Sequence, residues 1–341
     1  MRALVVGLGS IGRRHARNWV GLGLGELMVC RQAGRPLPQP LGFCAREFTD
    51  LAAALAHGPD VVLVTNPTSL HVATARQAIE AGAHVLVEKP LGHELAGVAE
   101  LIAAADQSQR LLQVGYNLRF HPGLARLREL LHQGAVGEPL SVRAQAGEYL
   151  PDWHPWEDYR VSYAARRDQG GGAVLTLSHE LDAVYWLFGA PTRVTAMTGR
   201  VGPLELDTED VAEIILGYPR GMLASVHVDY LRRPKQRYLE VIGEQGVLRW
   251  EHEANRVLRY APGTREWLVE LGDPRFERNA MYVAELREFC ARARGEEEVE
   301  GVGADGRQGA VVLSLALAAL RSATTGASVE LTAQESLSGG G

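Results

Sequence analysis

The chain has 341 residues, of which 46% are hydrophobic, so it can bury a sizeable core and is expected to form two domains. Its 35 Lys and Arg residues against 41 Asp and Glu residues give a net charge of −6, which offers no general attraction to nucleic acid or to an anionic membrane. The three cysteines form no CxxC pair and no metal-ligand spacing, so we predict no disulfide and no metal site. Because no signal sequence precedes the first apolar run and no run has membrane-spanning length, we expect a cytoplasmic protein.

The first third of the chain alternates short apolar runs with helical patterns, which is typical of a parallel sheet covered by helices on both faces. Strands are predicted over 3–7, 26–31, 60–65, 84–88 and 111–115. Helices are predicted over 11–22, 49–57, 69–81 and 93–107. These elements predict an α/β domain over residues 1–118, with a doubly wound parallel sheet.

After residue 118 the pattern changes to that of an α+β domain with a large open, mostly antiparallel sheet. A helix near 121–133 is followed by apolar runs joined through tight turns such as "GYPRGM" and "GEQGV". Helices near 278–293 and 306–322 close this domain, which we place at 119–334, before a flexible tail over 335–341. Because helices would cover only one face of such a sheet, we expect a homodimer or homotetramer formed through the other face.

The segment "VVGLGSIG" places Gly7, Gly9 and Gly12 in GxGxxG spacing between the first strand and the first helix. In this context Gly7 permits the tight turn, Gly9 lets a pyrophosphate approach the backbone, and Gly12 lets helix and strand pack closely. The motif therefore predicts a Rossmann dinucleotide site, to which Ser10 and Ile11 also contribute. A purely structural glycine turn is the alternative interpretation.

The residue after the second strand bears on which dinucleotide is bound. An acidic residue is expected there for the ribose 2′-hydroxyl of NAD, but the sequence has Arg31. Arginine suits a 2′-phosphate, so we predict NADP in preference to NAD, which stays possible. Arg31 could equally be a solvated charge that stacks on the adenine.

Polar residues follow the third and fourth predicted strands, at the carboxyl edge where open α/β sheets bind ligands. Among them is Lys89, in a chain whose only other lysine is Lys235. A lysine kept in so arginine-rich a chain indicates a need for an amine with a movable pKa, although an ordinary surface lysine is the alternative. The Lys89–Pro90 bond can be cis at modest cost. Cofactor contacts at this edge are predicted for Asn66, Pro67, His71, Glu88 and Lys89.

The segment "GGGAVLTLSHELDAVYWLFG", at 170–189, predicts one amphipathic helix that starts at the glycines. Apolar residues recur at the spacing of one helix face, and His179 points away from that face. Three glycines at a helix start indicate that something approaches the backbone closely, because glycine is otherwise costly there. His179 is therefore a candidate functional residue, with an exposed surface histidine as the alternative. The apolar positions are Leu177, Leu181, Val184 and Phe188.

The GLGSIG loop, "TNP" with the histidine after it, "EKP", "GYNLRF" and "GGGAVLTLSHELD" occur in this order along nearly the whole chain. Together they resemble the Gfo/Idh/MocA family, the oxidoreductases related to glucose-fructose oxidoreductase and inositol dehydrogenase. The resemblance implies a Rossmann domain followed by an open mixed or antiparallel sheet, a nicotinamide cofactor, and hydride transfer at one carbon of a sugar, sugar acid or cyclitol. It also implies that Lys89 and His179 flank the reacting hydroxyl.

One departure from the family pattern concerns an aspartate that members commonly carry one helical turn before the histidine. Here Thr176 occupies that place counted from the glycines, and Leu175 occupies it counted back from His179. The acid partner is dispensable, replaced by Asp182 or Glu180, or missing because the reaction differs.

His179 is interpreted as the general acid or base, and Lys89 as the group that stabilises the partial oxyanion. A non-catalytic dinucleotide-binding sensor and a reductase of double bonds or imines are the alternative functions. The aromatic loop before the glycines is expected either to stack on the sugar or to pack between the two domains. Substrate contacts are predicted for Asn117, Arg119, Trp153, His154, Tyr159, Arg160, Tyr163, Thr176 and His179.

Overall fold

The computed structural model of the chain describes residues 1–32, 46–296 and 301–331. The predicted tail over 335–341 and Cys44 lie outside the described residues. Cys30 and Cys290 are buried free thiols. Within the described ranges no helix combines the length and the apolar character needed to cross a bilayer.

The described residues form two compact units rather than two consecutive segments. The first unit combines Met1–Asn117 with Asn279–Ala310, and the second combines Leu118–Arg278 with the described residues from Val311 onwards. The predicted division at residue 118 therefore lies one residue from the first change of unit, but the chain returns to the first unit after residue 278.

Strands and helices are numbered separately along the chain. The described strands are β1 (Arg2–Val6), β2 (Glu26–Cys30), β3 (Arg46–Phe48), β4 (Val61–Val64), β5 (His84–Glu88), β6 (Leu112–Gly115), β7 (Pro139–Gly147), β8 (Arg193–Gly199), β9 (Val211–Gly217), β10 (Leu223–Asp229), β11 (Gln236–Gly243), β12 (Gly246–Glu251), β13 (Arg256–Ala261), β14 (Glu266–Gly272), β15 (Ala304–Asp305) and β16 (Val329–Glu330). The described α-helices are α1 (Ser10–Gly21), α2 (Leu51–Leu55), α3 (His71–Glu80), α4 (Val98–Gln107), α5 (Pro122–His132), α6 (Leu150–Trp153), α7 (Ala173–Thr176), α8 (His179–Phe188), α9 (Asn279–Ala293) and α10 (Gly306–Thr325).

In the described part of the first unit, a seven-stranded sheet has the order β15–β6–β5–β4–β1–β2–β3. Its strands are parallel except for β15, which pairs antiparallel with β6. The side chains of β4 are all buried, as expected for a strand covered on both faces. Val6 is paired with Val64, and Val64 with Val87, so the loops after β1, β4 and β5 lie at one edge of the sheet. The predicted doubly wound parallel sheet is confirmed.

The helices of this unit differ from the prediction mainly at their first turns. The helix predicted from residue 93 begins at Val98, because Gly97 before it has a left-handed backbone with φ of 75°. A 3₁₀ turn over Thr68–Leu70 precedes α3. The short strand β3 was not predicted, since three residues give too little alternation to recognise a strand.

Helix α9 belongs to the first unit, which corrects the prediction that it closes the second domain. Its residues Leu286, Phe289 and Cys290 are buried in one apolar cluster with Val5 of β1 and Trp19 of α1. Periodicity shows which face of a helix is apolar, but it does not show which of two cores that face joins.

The second unit is built on a nine-stranded sheet, counted within the described residues, in the order β14–β13–β12–β11–β7–β10–β9–β8–β16. Neighbouring strands are antiparallel except for β7 and β10, which are parallel. The predicted mostly antiparallel sheet is confirmed, and β9–β10 and β11–β12 are hairpins at the predicted turns. The hairpin of β13 and β14 was not predicted.

Burial alternates along these strands, so one sheet face is covered and the other is open in this chain. In β9, Ala212, Ile214 and Leu216 are buried, whereas Glu213 is exposed and Ile215 is 41% exposed. Helix α8 contacts β7 and β10, and α5 contacts β12, β13 and β14. Because successive side chains of a strand point to opposite faces of the sheet, the neighbours of the residues that face the helices lie on the open face.

The helix predicted over 170–189 is broken in two. Leu177 has φ of −100° and ψ of 32°, which ends α7, and α8 starts anew at His179. Every residue from His179 to Val184 is buried, so the predicted amphipathic pattern is wrong for the first half of α8. His179 therefore lies at a buried helix start and not on a solvent-facing helix surface.

Candidate active site

The glycine loop has the geometry that its motif predicts. Gly7 has φ of 96°, and a Cβ added there would lie 2.7 Å from the backbone nitrogen of Asn66. A Cβ on Gly12 would collide with the Gly7 carbonyl oxygen, whereas one on Gly9 would meet nothing within 4 Å. Gly9 caps α1 without any side-chain hydrogen bond. The open surface at Gly9 and the uncapped first turn of α1 fit a dinucleotide pyrophosphate. Two further predicted residues, Ser10 and Ile11, open α1.

Arg31, which immediately follows β2, has a partner within the protein. Its backbone N–H donates to the carbonyl of Phe48 at 3.0 Å, and its Nε donates to Glu47 Oε2 at 2.9 Å. The side chains of Arg31 and Glu47 are 26% and 42% exposed. This pair was not predicted, because β3, which carries Glu47, was not recognised.

Asn66 and Pro67 follow β4 at the same edge as the glycine loop. The Asn66 Nδ2 donates to Thr74 Oγ1 at 2.9 Å, while its buried Oδ1 has no hydrogen-bond partner within the described residues. Thr65 Oγ1 donates to the Gly7 carbonyl at 2.7 Å. The loops after β1 and β4 are therefore tied together.

His71 links the loops after β4 and β5. Its Nδ1 lies 2.8 Å from the Pro90 carbonyl oxygen, and its Nε2 lies 2.9 Å from the Asn66 carbonyl oxygen. Burial lowers the pKa of His71, and a neutral imidazole can donate to only one of these carbonyls. Because the side chain is buried and both nitrogens face main-chain oxygens, the geometry does not support the predicted direct cofactor contact for His71.

Glu88, the last residue of β5, is buried against α1. Its Oε1 lies 2.8 Å from His15 Nε2, and its Oε2 accepts from the Lys89 N–H at 3.3 Å. Burial raises the pKa of Glu88, but the hydrogen bond and charge of His15, together with the charges of Lys89 and His71, leave that pKa below its ordinary value. Lys89 itself is half-buried and is joined to Pro90 by a cis peptide bond. Glu88 thus supports the lysine loop rather than facing outward as a cofactor ligand.

The glycine turn before α7 is approached closely by the protein itself. A Cβ on Gly171 would collide with the Tyr163 carbonyl oxygen, and one on Gly172, whose φ is 104°, would collide with the carboxylate of Glu209. Glu209 accepts a hydrogen bond from the Val174 N–H at 3.0 Å, and burial raises its pKa. The glycines predicted that something approaches the backbone closely, and this is observed. The approaching groups belong to the protein itself: the carboxylate of Glu209 and the main chain at Tyr163.

Thr176 lies at the place of the family aspartate when the count starts from the glycines, and Tyr230 is its neighbour. Both residues are buried, the Thr176 side chain acts to lower the pKa of Tyr230, and the Tyr230 hydroxyl donates to the Ala164 carbonyl at 3.2 Å. Burial raises the pKa of Tyr230 well above its ordinary value, so this pair stays neutral. A neutral hydroxyl pair therefore stands where a carboxylate was expected.

His179 is the first residue of α8 and is 8% exposed. Asp182, one turn further along, is bound by Arg119, whose Nη2 donates to Oδ1 at 2.6 Å and whose Nε donates to Oδ2 at 3.1 Å. Both side chains of this pair are 1% exposed, and Arg119 also lies 5.8 Å from the Trp186 ring. Burial raises the pKa of Asp182, and Arg119 opposes that rise. The guanidinium of Arg119 is therefore buried against a carboxylate, and its predicted contact with the substrate stays a prediction.

Glu180, on the other side of the same helix turn, is bound by Arg237. The Arg237 Nε donates to Glu180 Oε1 at 2.7 Å, and the two side chains are 17% and 3% exposed. Both carboxylates that were considered as replacements for the missing aspartate are therefore held by arginines. They fix the start of α8 on which His179 stands.

The aromatic loop places its predicted residues on the surface of the second unit. Trp153 contacts Tyr230 edge to face, with ring centroids 5.5 Å apart. Arg160 forms ion pairs with Asp158 at 2.9 Å and Glu205 at 3.2 Å, and the Tyr159 hydroxyl accepts from the Glu205 N–H. A shallow hollow is lined by Leu150, Trp153, His154, Glu157, Tyr159 and Ser162.

Of the other predicted residues, Tyr163 is half-buried beside the glycine turn and Asn117 is buried at the end of the first segment of the first unit.

Three residues near these sites were missed by reasoning from the sequence: His15, Glu47 and Tyr230. His15 contacts Glu88 and Tyr230 contacts Ala164, at separations of 73 and 66 residues along the chain. No local spacing in the sequence indicates such distant pairs. His15 alone had a local signal, since it lies three residues after the last glycine of the loop.

The class of protein follows from these observations: a Rossmann unit with an open glycine loop and a lysine at the same sheet edge defines a dinucleotide-binding oxidoreductase. Residues 1–116 match the family model described as the oxidoreductase family, NAD-binding Rossmann fold, and residues 124–249 match the GFO/IDH/MocA C-terminal domain. The chain belongs to the Gfo/Idh/MocA oxidoreductase family, as the resemblance implied.

Named relatives cover nearly the whole chain. A myo-inositol 2-dehydrogenase of Thermotoga maritima is 27% identical, with 97% of this chain and 98% of that protein covered. A D-apiose dehydrogenase of Paraburkholderia graminis is 27% identical, with 98% and 90% covered. The crystal structure of the WlbA dehydrogenase from Bordetella pertussis in complex with NADH and UDP-GlcNAcA has a TM-score of 0.80 at 26% identity, with 97% and 99% covered.

Proposed function

We propose that the protein transfers a hydride between a nicotinamide dinucleotide and a carbinol or carbonyl carbon of a sugar, sugar acid or cyclitol. The observation that carries the proposal is the shared edge of the parallel sheet, where the open glycine loop, Asn66 and Lys89 follow three adjacent strands. The relatives named above act on an inositol and on a sugar, which supports this substrate class. When bound, the nicotinamide ring would accept or supply the hydride.

His179 is proposed to exchange the proton of the reacting hydroxyl. An imidazole titrates near neutral pH and suits this role, because alcohol oxidation needs a base and carbonyl reduction needs an acid. Asp182 and Glu180 are held by arginines, so the protein fixes the backbone of His179 without a free carboxylate from either of them. Thr176 and Tyr230 contribute a neutral environment instead of the family aspartate.

Lys89 is proposed to stabilise negative charge on the reacting oxygen. An ammonium is a compact charge, and its strength as a stabiliser grows where water is excluded. Its backbone is held on both sides, by Glu88 through His15 and by Pro90 through His71. The lysine stem therefore starts from a main chain with little freedom.

Substrate contacts are proposed for the hollow of the aromatic loop. Trp153 and Tyr159 offer ring faces that suit the apolar faces of a sugar, and His154 offers a polar edge. Arg160 is already paired with two carboxylates, so a hydroxylated substrate fits this loop better than one that needs a free guanidinium for a carboxylate.

The test is a spectrophotometric screen of sugars, inositols and sugar acids for formation or consumption of reduced nicotinamide. With the best substrate, His179→Ala and Lys89→Ala are each expected to lower kcat by about a thousandfold or more while leaving dinucleotide binding intact. The exposed His132→Ala and Lys235→Ala provide matched controls that keep full activity. Full turnover by the His179 or Lys89 variant would contradict the assigned roles.

The neutral Thr176 pair favours keeping a second candidate, a sensor of the same fold that binds the dinucleotide without turnover. It predicts tight dinucleotide binding and no reaction with any compound of the screen. Activity only on an unsaturated compound or an imine would instead indicate a reductase of double bonds. We further propose a cytoplasmic homodimer or homotetramer in which the open sheet face is the contact, and a monomeric mass in light scattering would contradict the assembly.

A further inference from the structure

A carboxylate lies beside the end of β2, but it stands on the neighbouring strand β3. Strand β3 runs parallel to β2, with Glu47 opposite Val29 and Phe48 opposite Cys30. Arg31 extends this pairing through its N–H to the Phe48 carbonyl. Glu47 and Arg31 therefore point to the same side of the sheet, and their side chains meet at 2.9 Å.

The charge of this pair differs from that of a lone arginine. A 2′-phosphate carries nearly two negative charges and needs a guanidinium whose donors are available to it. Glu47 already accepts from Arg31 Nε, and its own negative charge repels an incoming phosphate. A ribose 2′-hydroxyl makes the opposite demand, because it is neutral and donates well to a carboxylate.

We propose that Glu47 is a specificity-determining residue that holds Arg31 and makes the protein prefer NAD to NADP. This inference rests on the proposed use of a nicotinamide dinucleotide, and it reverses the preference expected from Arg31 alone. Glu47 takes the role of the acid that is missing from the end of β2, and Arg31 positions its carboxylate. Arg31 becomes a 2′-phosphate ligand only when the carboxylate is removed.

An ordinary surface ion pair is the competing explanation, since both side chains are partly exposed and such pairs contribute little to stability. The chain offers a matched control for that explanation. Glu26 opens the same strand β2 at the opposite edge of the sheet, is exposed, and lies 3.6 Å from Arg2. A general effect of surface charge would be equal at the two positions.

The experiment measures dissociation constants of NAD⁺ and NADP⁺ for the substrate-free protein by titration calorimetry, so it does not depend on turnover. The wild type is expected to bind NAD⁺ more tightly than NADP⁺. Glu47→Gln is expected to tighten NADP⁺ binding about tenfold and to weaken NAD⁺ binding a few-fold. The gain should shrink as salt is raised and should vanish in the Arg31→Gln/Glu47→Gln double variant, whereas Glu26→Gln should leave both constants unchanged.

The outcomes separate the inference from the proposed function. If the variants bind dinucleotides but Glu47→Gln leaves the ratio of the two constants unchanged, or Glu26→Gln changes it equally, the inference is wrong and the dehydrogenase proposal stands. A wild type that prefers NADP⁺ also overturns the inference alone. If the folded wild type, checked by circular dichroism, binds neither dinucleotide, both proposals fail.

Discussion

The lysine loop of the first unit and the histidine helix of the second are held by different means. Lys89 follows a buried strand, and its neighbours are fixed by main-chain carbonyls and one histidine–carboxylate contact. His179 starts a helix whose first turn is held by two ion pairs, one of them almost entirely buried. The first arrangement depends on the edge of a parallel sheet, whereas the second depends on charges that must be neutralised inside the protein. Damage to the second should therefore cost more stability.

The largest effect is expected for Arg119→Met. Removal of Arg119 leaves the Asp182 carboxylate buried without its partner, which should lower the free energy of unfolding by about 3–5 kcal/mol. Urea denaturation at pH 7 measures the change. The exposed pair of Arg307 and Asp106 supplies the control, since Arg307→Met should cost less than about 1 kcal/mol. Equal losses for the two variants would contradict the expected difference between a buried and an exposed ion pair.

The second prediction concerns His121, a fully buried histidine in the second unit that caps α5 by accepting from the Gly123 N–H. Burial, the nearby His252 and Arg237 lower its pKa to about 3, and Glu253 opposes them only weakly. Its contribution to stability is therefore complete above the unfolded pKa of about 6.5 and is lost as pH falls towards 3.

His121→Asn keeps a capping oxygen but cannot titrate. Between pH 7 and pH 4.5 the wild type should lose about 2 kcal/mol more than this variant in unfolding free energy, measured by urea denaturation at each pH. The exposed His132→Asn is the control and should follow the wild type. Parallel pH profiles for the wild type and His121→Asn would refute the assignment.

The third prediction concerns His15→Ala in the first unit. Glu88 would lose its side-chain donor while staying buried, at a cost of about 1–3 kcal/mol at pH 7. The pKa of Glu88 is low in the wild type and should rise in the variant, because only the charges of Lys89 and His71 then oppose burial. Protonation would relieve the buried charge, so the difference between variant and wild type should shrink as pH falls from 7 towards 4.5. A difference that grows on acidification would contradict this account.

The smallest effect on stability is expected for His71→Asn. One of the two contacts to the carbonyls of Asn66 and Pro90 would be lost, at a cost of about 0.5–1.5 kcal/mol. Because His71 positions the lysine loop without facing the cofactor, kcat should fall several-fold while the dissociation constant of the dinucleotide stays the same. If the variant changed the dissociation constant of the dinucleotide and left kcat unchanged, the result would instead support the predicted cofactor contact of His71.

The comparison also explains what the sequence could predict. The glycine loop, the strand ends and Lys89 were predicted correctly in position, because a motif and a run of buried strands are local patterns. The break at Leu177 was missed, since no glycine or proline marks it, although Leu177 leaves the helical conformation with φ of −100° and ψ of 32°. The ion pair of Arg119 was missed, because its partner Asp182 is 63 residues away and no periodicity pairs them. Glu47 was missed with its short strand.

The return of α9 to the first unit has a practical consequence for anyone who wishes to cut or exchange parts of this enzyme. A fragment that stopped at Asn117 would leave Val5 and Trp19 without Leu286, Phe289 and Cys290, which complete their apolar cluster. The first unit therefore cannot be transferred as one continuous segment. A graft or truncation must also include Asn279–Ala310, which begins more than 150 residues after Asn117.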